Sequence, residues 1–195
     1  MSRVALGYNA LEGIASVTAG AFAGSVALIG FGIDSLIEVT SSGASLWRLR
    51  SDHDPGRRER SERVSLRIIG LCFIGLAIYI GWEAGHSLWR REQPEKTTPG
   101  IVIAALSVVI MPVLARSKRR VATALGSRAL EADAKQTDLC MYLSAIVLSG
   151  LLLNAVLGWW WADPVAALIM VPIIAKEGIE GLRGEERCDD CLPVR

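Results

Sequence analysis

Asp34 and Glu38 stand four residues apart in "LIGFGIDSLIEVTSS", residues 28–42, inside an otherwise apolar run. On a helix that spacing puts both carboxylates on one face. A charge at the centre of a bilayer costs at least ~2.5–3.5 kcal/mol on insertion scales, so two acids in such a run need partners. A second stretch, "SRALEADAKQTDLCMYLS" from Ser127, supplies them. Asp133, Gln136, Thr137 and Cys140 fall at i, i+3, i+4 and i+7, one helical face, with Asp138 on the other side. Near the start of the chain, Asn9 and Glu12 add an amide and a third acid. Carboxylate, amide and thiol groups together are ligands for a divalent cation. Clustered carboxylates in a low dielectric repel one another and hold protons unless a cation joins them. Two carboxylates and two further ligands around a divalent metal offset the desolvation. Protons take the metal's place when it leaves, so metal binding and proton release are linked. The plainer alternative makes these acids protonated partners in interhelical hydrogen bonds.

The elements that must hold these groups are membrane helices. Six apolar segments can be read, at about residues 4–29, 31–49, 66–88, 100–115, 123–157 and 159–175. Each is near the ~20 residues that cross ~30 Å of hydrocarbon. The fourth is the shortest, and Pro112 is expected to kink or end it. A water-soluble helical bundle is excluded by "IVIAALSVVIMPVLA", which has no polar face. The expected fold class is all-α: an integral membrane protein with six transmembrane helices. Twelve Lys and Arg flank the second-to-third and fourth-to-fifth connections, among them Arg57, Arg58, Arg116 and Lys118, against Arg90, Arg91 and Lys96 on the other side. The positive-inside rule then puts both termini in the cytoplasm. "GWWWADP", residues 158–164, falls at the opposite interface, where Trp rings favour the headgroups. Asp163 before Pro164 is read as the N-cap of the sixth helix, with a part in cation exit as the alternative.

Depth along the helices links the candidate ligands. At ~1.5 Å per residue, Glu38 lies about 15 Å and Asp34 about 21 Å inward from Arg48. Counted from Arg128, Asp133, Gln136 and Cys140 lie about 7, 12 and 18 Å in. Asn9 and Glu12 lie about 9 and 13 Å from Arg3. Glu12, Glu38 and Gln136 therefore share one level, Asp34 and Cys140 the next, and Asn9 and Asp133 the level below. Three helices present a column of oxygen and sulfur ligands, which is a cation path by its chemistry.

Composition sets the outer limits. The chain has 195 residues, 51% hydrophobic, with a formal net charge of +1. That near-neutral balance argues against nucleic acid as a partner. No signal peptide is evident at the start. No nucleophile–base constellation is visible, so an enzyme is not expected, nor any organic cofactor.

"GFGIDSLIEVTSSGASLWRLR" together with "SRALEADAKQT" resembles the cation diffusion facilitators, as do Glu12-Gly13, "GSVAL" at residues 24–28 and "WADP" at residues 161–164. The resemblance runs over nearly the whole chain. It implies a six-helix, proton-coupled exporter of zinc or a related divalent metal in the cell membrane, the inner membrane if the source is bacterial. The family's second-span pair of acids falls on Asp34 and Glu38. Its fifth-span His and Asp fall on Gln136 and Cys140, a departure that replaces an imidazole with an amide and a carboxylate with a thiol. In a shorter branch, which includes zinc-binding relatives in animal vesicle membranes, the fifth-span acid falls on Asp133, and that branch fits this chain better. Residues 1–180 are expected to be the cation-efflux transmembrane domain and residues 181–195 a short cytoplasmic tail. About fifteen residues after Glu180 are too few for the family's usual cytoplasmic domain. A homodimer would then use membrane helices, for which Gly20–Gly24 and Gly81–Gly85 offer small faces; packing within one protomer is the alternative. A non-transporting metal sensor or partner protein on the same scaffold is the second functional reading.

Lesser candidates remain. Glu83 and His86 line an exit or sit at the interface. Asp52, His53 and Asp54 match a loop metal site or a solvated turn. Cys72 is expected to pack in an apolar span. Cys188 and Cys191 form a CxxC in the tail, two soft ligands rather than a complete zinc site.

Overall fold

Gly24 and Ser25 turn the chain back on itself. Gly24 adopts φ 64°, a left-handed conformation that costs an L-residue ~1–2 kcal/mol but glycine nothing. The Ser25 amide then donates to the Gly20 carbonyl at 3.0 Å, closing a Schellman turn. In the computed structural model, the backbone is described for residues 2–50, 55–125 and 128–183, and side chains for residues 6–40, 42–43, 67–124 and 134–183. Six helices account for the regular structure of these residues: α1 (Ser2–Ala23), α2 (Val26–Arg50), α3 (Pro55–Arg90), α4 (Thr98–Leu125), α5 (Arg128–Leu157) and α6 (Ala162–Arg183). The described residues are all-α with six helices, as the hydropathy pattern predicts. Stretches 67–90, 98–124 and 134–157 are long and apolar enough to cross a membrane by composition alone. The other three helices, at 22 to 25 residues, have the length to cross, at ~1.5 Å rise per residue.

Several boundaries differ from the sequence reading. Residues 26–29 belong to α2, because the turn needs Gly24 rather than a residue nearer Gly30. Pro112 lies inside α4, which continues to Leu125. The basic run 116–120 is therefore helix, not loop. α3 begins at Pro55, the favoured N-terminal place for proline, so Arg57, Arg58, Arg60 and Arg63 are also on a helix. Cys72 is exposed on the outer surface of α3 instead of packed. Asp52, His53, Asp54, Cys188 and Cys191 lie outside the described residues.

Four helices close a ring in which α1 packs on α2, α2 on α5, α5 on α4 and α4 on α1. α3 and α6 form a tight pair that leans on α2 and α5. Phe31, Leu28, Ile80, Met111, Leu143, Val147 and Met170 fill the apolar centre. α1 and α2 approach closely at Gly32, where a Cβ would stand 2.7 Å from the Val17 backbone nitrogen. That approach brings the polar residues of α1 against those of α2. Gly20 is likewise consumed within the protomer, since a Cβ there would meet Ile29 at 2.8 Å. The outward faces carry Leu11, Ile14, Phe22, Ile78, Trp82, Val109 and Val156. Apolar outside and polar within is the distribution expected of a multi-pass protein in lipid.

Asp163 is not the cap of its own helix. It lies inside α6, fully buried. Its carboxylate accepts from the Ser25 hydroxyl at 2.6 Å and from the Val26 amide at 3.0 Å. The Ser25 hydroxyl oxygen in turn accepts from the Leu28 amide at 3.1 Å. Asp163 and Ser25 together therefore cap α2, across the fold. Thr97 caps α4 by accepting from the Gly100 amide at 3.1 Å. Asn154 ties the α3–α4 connection to α5 through the Pro94 carbonyl at 3.0 Å.

Candidate metal centre

α2 turns Asp34, Ser35 and Glu38 into the ring, all essentially inaccessible, with Glu38 at 0% exposure. Two polar groupings meet them there. The first joins α1, α2, α4 and α5. Glu12 accepts from Ser35 at 3.1 Å on one oxygen and from Ser107 on the other. Ser107 lies 3.4 Å from the Tyr8 hydroxyl, and Ser35 lies 3.9 Å from the Cys140 thiol. Asp34 has Glu38, Cys140 and Glu12 as electrostatic neighbours within the ring, with Glu177 contributing from α6.

The second grouping surrounds Glu38. Lys118 of α4 donates to Glu38 Oε1 at 3.1 Å and to Thr137 Oγ1 at 2.8 Å. The Thr137 hydroxyl donates to the same Oε1 at 2.6 Å. Glu38 Oε2 is buried with no hydrogen-bond partner, as is Asn9 Oδ1. A buried carboxylate oxygen left without a partner costs ~1–3 kcal/mol or more, and that cost vanishes when a cation binds it.

The sequence residues fall as follows. Asp34 and Cys140 share one level, as the helical depth predicts. Opposite Glu38 stands Thr137, not Gln136, which is only half-buried. The expectation that Gln136 faces Glu38 is corrected: Thr137 of the same face takes that place, and among the described residues the completely buried positions of α5 are Ala134, Thr137, Cys140, Ser144 and Val147. Glu12 sits one turn outward of its expected level, beside Ser35. Asp133 is on α5, with its side chain outside the described residues. Asp138 turns away to pair with Arg119. Glu83 and His86 are half-buried on α3, outside the four-helix ring. Among the described residues, no three His, Cys, Asp or Glu side chains stand close enough to hold one metal ion together.

Lys118, Ser107 and Tyr8 join the site without standing out in the sequence. α4 carries no acid to draw notice to its polar residues, and Tyr8 blends into the apolar run of α1. A signal exists all the same. Ala104, Ser107, Met111, Ala115 and Ala122 are the buried stripe of α4, and Lys118 falls in that stripe at helical spacing.

A model of the cation efflux transmembrane domain matches residues 2–183. The cation-efflux pump FieF of Shewanella oneidensis is 24% identical over 82% of this chain and 55% of its own length. An uncharacterized transporter of Methanocaldococcus jannaschii is 29% identical over 86% of this chain and 61% of its own. Transmembrane protein 163 of Xenopus laevis is 26% identical over 92% of this chain and 64% of its own. The chain thus spans 55–64% of the length of these relatives.

Proposed function

Because the chain belongs to the cation efflux family, a family of membrane transporters and not of enzymes, we propose that it exports a divalent transition metal, zinc first, in exchange for protons. Asp34, Glu38 and Asp133 are the proposed ligands and proton carriers, with Cys140, Gln136 and Glu12 beside them. The observation that carries this reading is Glu38: a carboxylate at 0% exposure, one turn from Asp34, with one oxygen held by an ammonium and the other without a partner. Such a group is costly in a closed structural core and useful in a site that a cation enters and leaves. The end of the bundle carrying Lys118 and the basic runs is assigned to the cytoplasm, with both chain ends there.

A metal sensor on the same scaffold is the second reading. It is favoured by the separation of the acidic groups among the described residues and by an amide and a thiol at Gln136 and Cys140. Purified protein in liposomes carrying an internal pH dye separates the two. Addition of Zn²⁺ should drive proton flux in the exporter. Metal binding without flux identifies the sensor.

A further inference from the structure

We propose that the Lys118 ammonium is a tethered counter-cation that occupies the place of the transported metal at Glu38 and is displaced when the metal loads. The inference rests on the export reading and names a residue that governs that site's affinity and its empty state. Three helices supply its geometry: Lys118 from α4, Glu38 from α2 and Thr137 from α5. Nζ, Oε1 and Oγ1 form a closed triangle with sides of 3.1, 2.8 and 2.6 Å. Glu38 Oε1 is thereby fully engaged, while Oε2 has no partner. A divalent metal binding at Glu38 must either share this carboxylate with a cation or expel it, and like charges at that distance in a low dielectric repel strongly.

The means of expulsion is built into the element. α4 continues past Pro112 to Leu125, and Lys118 stands near its basic end. Its side chain is 12% exposed, so the ammonium has a way out. A flexible four-carbon stem lets a lysine move its charge toward water while the helix stays in place. The divalent ion outcompetes the single charge for the carboxylate, and after release the ammonium returns. The empty carrier then crosses the membrane with Glu38 neutralised by its own chain.

The test uses the full chain in detergent and in liposomes, with Zn²⁺ as probe. Lys118→Met and Lys118→Gln remove the charge, and Gln keeps a hydrogen-bond donor should Met prove unstable. Both should bind Zn²⁺ at least about tenfold more tightly. Both should keep Zn²⁺/Zn²⁺ exchange, in which the carrier never returns empty, yet lose net efflux by about tenfold or more. Lys118→Arg should move both readings back toward the starting protein. A merely structural ion pair would lower exchange and net efflux together, and that result overturns the proposal. So does unchanged Zn²⁺ affinity in a folded Lys118→Gln protein whose parent transports normally, which leaves the export reading intact. If the parent moves no metal but Lys118→Gln still tightens binding, the export reading fails and the displaced ammonium stands.

Discussion

Glu38 and Lys118 illustrate why removing one member of a buried pair differs from removing both. Glu38→Ala leaves the Lys118 ammonium beside Thr137 without its carboxylate. Removing one member of a buried pair destabilises more than replacing both charges with apolar groups, which is often near neutral. Thermal unfolding in detergent should therefore show a large loss for Glu38→Ala and recovery of most of it in Glu38→Ala/Lys118→Met. Neither protein should transport metal, because the double variant regains stability but not the ligand. Asp34→Ala should also abolish transport while the protein still inserts and folds. Near-normal Zn²⁺ efflux by a well-expressed Asp34→Ala or Glu38→Ala protein would remove the site from α2.

Helix periodicity and helix boundaries decide which parts of this arrangement are legible in the residues. The i, i+4 acids of α2 and the polar face of α5 are periodic signals, so the amino-acid pattern alone turns Asp34, Glu38 and Cys140 inward. Rotation about the α5 axis is not legible, since Gln136 and Thr137 are both polar and adjacent, and only packing on α2 decides between them. Lys118 is hidden by a rule that works on average: basic runs after apolar segments count as loops. Asp163 is hidden because a cap ordinarily serves its own helix. Its real partners, Ser25 and Val26, are far away in sequence, and such pairing has no local signature. Asp163→Ala should leave the Ser25 hydroxyl and the Val26 amide buried without their acceptor. Loss of a cap costs ~0.5–2 kcal/mol, and burial places this one at the upper end. A lower melting temperature with metal affinity within about twofold is expected. An unchanged melting temperature would show that α2 does not depend on this cross-fold cap.

The ring of α1, α2, α4 and α5 encloses carboxylates, hydroxyls, a thiol and an ammonium, while the outward faces are apolar. On the proposed export reading, this inside-out distribution is the polar path through lipid along which metal and protons are exchanged. Metal and protons seek the same oxygens, so lower pH on the loading side should weaken metal binding. The sign is fixed: binding releases protons, and adding protons opposes it. Lys118 pairs with Glu38 in the metal-free arrangement, so of the proposed proton carriers Asp34, beside Cys140, is the one whose replacement tests the exchange without breaking that pair. Asp34→Asn should then flatten the pH dependence of binding, at a cost in affinity. Calorimetric titration with Zn²⁺ at several pH values, in buffers of different ionisation enthalpy, counts the protons released. If Zn²⁺ binds with no proton release anywhere between about pH 5 and about pH 8, exchange for protons is wrong even for a protein that moves the metal.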